Sequence, residues 1–342
     1  MTPFRSLALA VLLSLEGCAL SQQQQEPAAP QPQLGQRGAG QREAAMAAAG
    51  LLAVEVRAVQ VSPSAWVVQG LSAQGTPQNQ NFISNAGFIV TPAGVVVIDA
   101  LGSPALATKL LAEIKRITPL PVTHLIVTHY HADHIYGLQV FKAAGVRILA
   151  QATGRDSVGS DLARLRLEAS RRELAPWIDA TTQVVMADEW LDGAKELTLG
   201  GTRIQIQPMG PAHTPEDLVI HLPAEGVLFA GDLVFRGRIP FVGQADSGRW
   251  VKALDDMLAL QPKVVVPGHG AVSTQAVADM ELTRAYLAHL RTSMGKAAKN
   301  MDPFDEAYKT TDWRAFEQVP LFGVLNRVNA YNTYLLMERE GQ

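Results

Sequence analysis

Short apolar runs separated by Gly- and Pro-bearing turns recur from Val54 onward, and between them lie stretches whose apolar positions repeat every three to four residues. Residues 54–61 and 66–69 read as strands around Ser62-Pro63-Ser64. Residues 82–90 and 95–98 read as strands joined by the Thr91-Pro92-Ala93-Gly94 turn. Between the pairs, residues 70–80 form a Gln- and Gly-rich loop, either a flap beside a site or an ordinary hairpin loop. Residues 104–117 carry a helical stripe of Leu106, Leu110, Ile114 and Ile117. A strand over 122–127, a helix over 135–144 and a strand over 146–150 follow. Next come an Arg-rich amphipathic helix over 160–174, then strands at 184–186, 195–199, 202–207, 218–222 and 227–230. Gly200-Gly201 marks a hairpin between two of them. A helix over 250–260, a strand over 264–266, a long helix over 274–299 and a last helix over 326–340 complete the chain. Strands alternating with helices place the protein in the α/β class, in two similar halves.

Composition adds bounds. A chain of 342 residues holds one large domain or two small ones, and its 47% hydrophobic content is ordinary for a folded protein. A net charge of -3 gives no sign of nucleic-acid binding. The Arg-rich helix, with Arg164, Arg166, Arg171 and Arg172, is read first as a solvated face and second as a surface for an anionic substrate.

The N-terminus reads as an export signal over 1–21. Arg5 precedes an apolar core, residues 7–15, that is too short to span a bilayer permanently. Leu15-Glu16-Gly17-Cys18 resembles a bacterial lipobox, although Glu16 departs from the small or aliphatic residue usual there. The expectation is an exported, periplasmic protein. A lipid on Cys18 would be its only membrane attachment, and a soluble periplasmic form stays open. Residues 22–50, rich in Gln, Ala, Pro and Gly, read as a disordered linker. Cys18 is the only cysteine, so the mature body has no disulfide and no thiolate ligand.

The chemistry concentrates at His129-Tyr130-His131-Ala132-Asp133-His134, just past the apolar run 125–127. In extended backbone His129 and His131 share a face and can grip one ion, while Asp133 and His134 can face a second. Nitrogen and oxygen donors of this kind suit zinc. Three more candidates follow strands: His213 in a Gly- and Pro-broken loop, Asp232 after Phe229-Ala230-Gly231, and His269 between two glycines. Glycine leaves the backbone unobstructed near an ion. His124 and His221, inside predicted strands, read as structural. Asp99, at a strand end, either caps the next helix or orients the metal loop.

In order and spacing, these motifs resemble the metallo-β-lactamase superfamily: His-x-His-x-Asp-His, then Gly-x-x-His-Thr, Ala-Gly-Asp and Pro-Gly-His-Gly. The resemblance implies a four-layer αβ/βα sandwich over residues 51–275, followed by a C-terminal helical extension, 276–342, that lines or covers the pocket. It implies that His129, His131 and His213 hold one ion, that Asp133, His134 and His269 hold the other, and that Asp232 bridges them. Two zinc ions are expected, although iron or manganese would also fit. The implied reaction is hydrolysis of a small-molecule ester, thioester or β-lactam. A hydroxide between the ions attacks a carbonyl, and Asp133 and Asp232 are the catalytic carboxylates. The runs 84–90, 229–247 and 326–340 also resemble SoxH-type periplasmic metallohydrolases. Two other readings stay open: an iron-dependent persulfide dioxygenase on the same fold, and a non-catalytic metal-binding lipoprotein. No protein partner is assigned.

Overall fold

The structure is a computed structural model that describes residues 54–341, Gln244 excepted. The export signal, Cys18 and the 22–50 linker lie outside the described residues. Two sheets carry the fold. The first contains β1 (Ala58–Gln60), β2 (Ala65–Val68), β3 (Ala86–Thr91), β4 (Gly94–Ile98), β5 (Val122–Ile126), β6 (Arg147–Gln151) and β7 (Glu189–Leu191), side by side in chain order. β1 to β4 pair antiparallel, whereas β4 to β7 pair parallel. The second contains β8 (Lys195–Leu199), β9 (Thr202–Pro208), β10 (Leu218–Leu222), β11 (Val227–Phe235) and β12 (Val264–His269), antiparallel except for the β11–β12 pair.

Alternation along the strands sets the layers. In β4, Val95 and Val97 face outward onto the helix α1 (Pro104–Ile117), with Leu106 and Leu110 in the same cluster. Val96 and Ile98 face inward, meeting Ile220, Phe229 and Val266 of the second sheet. The inner face of the second sheet fills that shared core. Its outer face, with Leu228 and Ala230, packs on α6 (Ser247–Ala259) and α7 (Ala276–Asn300) through Trp250, Leu254, Leu287 and Leu290. Helix, sheet, sheet, helix is therefore the order of layers, as expected.

The C-terminal residues form α7, α8 (Phe304–Thr310) and α9 (Phe322–Glu340). Ala330 and Tyr334 of α9 share one core with Val234 of the second sheet. Among the described residues, no helix is long and apolar enough to cross a membrane.

The structure departs from the predicted elements for identifiable reasons. The strand expected at 184–186 is instead β7, a few residues later. Asp188 sets the register: its N–H donates to the Ile148 carbonyl at 2.8 Å and its carboxylate accepts the Ile148 N–H at 3.0 Å. β3 begins only at Ala86, because the residues before it serve loops of the site: the Ser84 hydroxyl donates to the Asp133 carbonyl at 2.6 Å, and Ile83 and Asn85 act as described below. The helix expected over 135–144 is two short ones, α2 (Ala132–Ile135) and α3 (Leu138–Ala143). They break at Gly137, where a Cβ would lie 2.0 Å from the Ala100 carbonyl oxygen. Helices α4 (Gly154–Val158) and α5 (Asp161–Glu173) follow β6.

Candidate metal centre

All seven candidate ligands lie at one edge of the sheet pair. Parallel strands deliver the first four. Past β5, Val127 still pairs with β6, its N–H donating to the Leu149 carbonyl at 2.9 Å. His129 and His131 then stand on the loop, and the single turn of α2 folds Asp133 and His134 back toward them. Asp99 fixes this loop. It sits after β4 in the left-handed region, φ 61°, which Asp tolerates better than most residues. Its carboxylate accepts the Thr128 N–H, the Thr128 hydroxyl and His134 Nδ1–H, each at 2.8 Å. Of the two readings left open for Asp99, the structure favours the loop-orienting one.

The second sheet supplies the rest. Strand β11 runs on through Asp232 to Phe235, whereas the apolar run predicted an end at Ala230. Its pairing with β12 shifts register on both sides of Gly231, which adopts φ 52°. Such an irregularity re-aims a side chain, here turning Asp232 into the site. Gly268 is needed next to it: a Cβ there would lie 2.0 Å from Asp232 Oδ1. His213 rides the loop between β9 and β10, and the buried Asp217 shapes that loop by accepting the Thr214 N–H at 2.8 Å and the Thr214 hydroxyl at 2.7 Å. Burial pushes the Asp217 carboxyl up to about 8. His269 ends β12, where Asn85 laces its loop by donating to the Pro267 and Gly270 carbonyls at 2.7 and 2.8 Å.

Ring tautomers follow from these partners. His269 Nδ1 is 2.7 Å from the Ile83 carbonyl, which can only accept. His134 Nδ1 likewise faces the Asp99 carboxylate. The Thr128 hydroxyl donates to Asp99, so it accepts from His129 Nδ1 at 3.0 Å. In the neutral rings, His129, His134 and His269 therefore turn bare Nε2 lone pairs inward.

Those atoms crowd together. His131 Nδ1 lies 3.1 Å from His129 Nε2 and 3.0 Å from His213 Nε2. Asp232 Oδ2 lies 3.7 and 3.4 Å from the latter two. An ion gripped tetrahedrally at about 2.0–2.1 Å holds its donors roughly 3.4 Å apart, which these spacings bracket. In the second cluster His269 Nε2 lies 3.3 Å from both Asp133 Oδ2 and Asp232 Oδ2. His134 Nε2 lies 3.6 Å from Asp133 Oδ2 and 3.2 Å from Asp232 Oδ1. Despite that approach, His134 Nε2 and Asp232 Oδ1 have no aligned hydrogen-bond partner among the described residues. Seven donors thus form two groups with Asp232 between them, and the set fits cations.

In the first cluster the electrostatics agree. Burial holds His129 and His213 well below the usual imidazole range and His131 down to about 4, so these rings are neutral, as ligation requires. His134 goes the other way: burial would lower it, but Asp232, Asp133 and Asp99 together raise it well above its ordinary value. Asp232 is buried too, yet His269, His134 and His129 keep it well below the usual carboxylate range.

A cleft opens onto the centre as two cavities of about 440 and 430 Å³ that share His131, Arg166 and Phe241. Asp133 is the more open carboxylate, at 15% exposure against 4% for Asp232. Of the four arginines of α5 noted in the sequence, Arg164 pairs with Asp161 and Glu168, and Arg171 donates to the Asp179 and Thr182 carbonyls. Arg166 lines both cavities. The 70–80 loop contributes Gln74 and Gly75 to the second cavity, which fits the flap reading. The extension contributes Asn332 to the first and Leu325 to the second, as expected. It also holds the loop after β11. Asn329 accepts the Val242 N–H at 3.0 Å and donates to the Pro240 carbonyl at 2.7 Å, while the Ile239 N–H donates to the Pro320 carbonyl at 2.9 Å.

Sequence reasoning assigned no role to Asn85, Asp217, Arg238 or Asn329. Asn85 and Asn329 have no local signal, because they act across the fold, whereas Asp217 bonds to Thr214 only three residues away. His124 and His221 stay away from the centre, touching Thr123 and Gln205 respectively.

The description of the metallo-beta-lactamase superfamily matches residues 80–269. A linear primary-alkylsulfatase of Pseudomonas sp. (strain ATCC 19151) is 27% identical over 215 residues, which span 53% of this chain but only 40% of that protein. A metallo-beta-lactamase type 2 of Bacillus sp. (strain 170) is 26% identical over 223 residues, 64% of this chain and 77% of the relative. Among solved structures, a metallo-beta-lactamase from Pontibacter korlensis aligns with TM-score 0.55 and 23% identity, over 68% of this chain and 99% of that one. A double mutant of the sec-alkyl sulfatase PisA1 aligns with TM-score 0.61 and 18% identity, over 83% and 50%. At these identities the structural matches speak for the fold alone.

Proposed function

Since the chain belongs to the metallo-β-lactamase superfamily, we propose that it is a dinuclear metal-dependent hydrolase of a small molecule. The observation that carries this reading is the convergence of three imidazole nitrogens, His129 Nε2, His131 Nδ1 and His213 Nε2, within 3.0–3.1 Å contacts. His129 Nε2 is bare, and a single proton on His131 Nδ1 can serve only one of its two neighbours, so the arrangement suits a cation among them.

His129, His131 and His213 would hold one ion, Asp133, His134 and His269 the second, and Asp232 would bridge. Zinc suits the donor set best. Bound there, the ions supply Lewis acidity and an ionised water as nucleophile. The remaining work falls to the chain. Asp232, buried and held ionised, positions the nucleophile. Asp133, open to the cleft, takes its proton and delivers it to the departing group. Phe235 and Phe241 wall the cleft against bulk water. The substrates proposed are esters, thioesters or β-lactams. The alkylsulfatase relative favours a second reading, hydrolysis of a sulfate ester. Export belongs to the proposal as well, supported by Arg5, the apolar run over 7–15 and Cys18.

Elemental analysis of the purified protein, with a hydrolysis screen on the same sample, tests it. About two zinc ions per chain and turnover abolished by a chelator support the reading. A single iron, with oxygen uptake on a persulfide and no hydrolysis, would replace it with the dioxygenase.

A further inference from the structure

Phe241 stands between the two cavities and lines both. Its ring lies edge-on to two of the candidate ligands, with centroids 6.0 Å from His131 and 6.4 Å from His213. Burial does not fix it there. Phe241 is 38% exposed, whereas Arg238, Ile239 and Val242 of the same loop are buried. The loop is also pliant, since Gly237 and Gly243, on either side of the ring, adopt φ 68° and 52°.

The restraint comes from Asn329, fully buried on α9. Its single amide spans Phe241: Oδ1 accepts the Val242 N–H at 3.0 Å, and Nδ2 donates to the Pro240 carbonyl at 2.7 Å. An N–H can only donate and a carbonyl can only accept, so the amide has one orientation. Its second Nδ2 proton goes to the Tyr286 hydroxyl of α7 at 3.1 Å. That hydroxyl donates to Asn326 Oδ1 at 2.8 Å, and Asn326 Nδ2 donates to the Tyr308 hydroxyl of α8 at 3.2 Å. Each helix of the extension thus feeds one directed chain, which ends on both backbone neighbours of Phe241. An apolar side chain at 329 would avoid the cost of burying an amide. What a satisfied polar network provides instead is a single geometry. The extension, residues 276–342, lies beyond the matched residues 80–269, so this chain of bonds is an addition to the shared domain.

We infer that Asn329 is a positioning residue for Phe241, and that through it the extension sets which substrates the cleft accepts. The consequence for turnover rests on the hydrolase reading. Held firmly, the ring keeps the two cavities apart, so that each takes one arm of the substrate. Set loose, it lets them merge, and a longer acyl arm is admitted.

The test uses the full-length, metal-loaded protein with N329A, Y286F, F241A and the double variant N329A/F241A. Hydrolysis of 4-nitrophenyl acetate is compared with that of 4-nitrophenyl octanoate. Separately, fluorine NMR follows protein labelled with 4-fluorophenylalanine, in which the Phe241 signal is the one missing from F241A. In F241A the octanoate-to-acetate ratio of kcat/KM is expected to rise about ten-fold, through KM. N329A is expected to shift it in the same sense, and Y286F by less. The double variant should go no further than F241A, because the two residues act as one unit. In N329A the Phe241 fluorine signal is expected to move or broaden while those of the buried phenylalanines hold. An unchanged ratio or an unmoved signal in N329A, or ratios that multiply in the double variant, overturns the inference and leaves the hydrolase reading standing. If N329A does not fold, Y286F, which keeps the ring volume, decides by the same two readouts. If the unmodified enzyme turns over neither ester, that failure belongs to the hydrolase reading, and the fluorine signal alone decides for or against Asn329.

Discussion

Replacing Asp99 with Asn tests how the first loop prepares its ligands. The carboxylate accepts three hydrogen bonds of 2.8 Å, from Thr128 N–H, Thr128 O–H and His134 Nδ1–H. Asparagine offers one acceptor oxygen at nearly the same volume. If that oxygen stays on the Thr128 N–H, the amide nitrogen meets two donors. His134 then relaxes by moving its proton from Nδ1 to Nε2, and the ring presents N–H where the second ion needs a lone pair. Each lost bond to a charged acceptor is worth about 1.5–3 kcal/mol. Loss of such an outer partner weakens metal binding by roughly 10- to 100-fold. Two measurements separate the effects. Urea unfolding of the chelated D99N protein is expected to show a loss of about 2–4 kcal/mol, given partial rearrangement around Thr128. Competitive titration with a chromogenic chelator is expected to show weakening, larger at the site of His134 than at that of His129, which Asp99 reaches only through Thr128. If D99N matches the unmodified protein in both titration steps and in the urea midpoint, Asp99 does not set the His134 tautomer and the argument fails.

Three further outcomes follow from the geometry. G268A drives a Cβ into Asp232 Oδ1, so kcat should fall at least about 100-fold while far-ultraviolet circular dichroism is unchanged; turnover within a few-fold of the original would contradict the close approach. Hydrogen bonds from Arg116, helped by the Ala58 N–H and Arg57, hold the buried Glu113 down to about 2. A carboxylate depressed by folding stabilises above its unfolded pKa and loses that contribution as pH falls through the folded value. The urea-stability gap between unmodified protein and E113Q is therefore expected to be constant above about pH 5 and to shrink toward pH 2, and an equal gap at pH 3 and pH 7 would count against it. Removing metal with a chelator should lower Tm by several degrees, since a ligand at 100 times its Kd contributes about 2.7 kcal/mol per site; an unshifted melt would mean the seven donors bind nothing tightly.

The α/β class could be read from local pattern, and so could the placing of the candidate ligands His129, His131 and His213 on loops and of His269 at a strand end, whereas Asp133 and His134 turned out to lie in the one-turn helix α2. Short continuous apolar runs such as 95–98 mark buried strands, and turn residues mark where they stop. Asp232 was another exception. Its strand continues past the glycine, and only pairing with β12 shows the register shift that turns the side chain inward. The strand misplaced at 184–186 has a similar cause. Val184 and Val185 pack against the first core as an apolar run does, but the register is set by Asp188, whose bonds to Ile148 no local pattern announces. Asn85 was illegible for another reason: it bonds to carbonyls that only folding brings close. Asp217 bonds to Thr214 within its own loop, a Thr-x-x-Asp spacing that local reading did not use. Arg238 looked like one of several loop charges, and its significance is its burial.

The loop carrying Arg238 and Phe241 is fastened by Asn329 and Pro320 of the C-terminal segment, while the ligands are fastened by Asp99, Asn85 and Asp217 of the two halves. Recognition and chemistry thus hang from separate mounts. A substitution at Asn329 can therefore reshape what enters the cleft while the bonds that Asp99, Asn85 and Asp217 make to the loops of the centre stay in place.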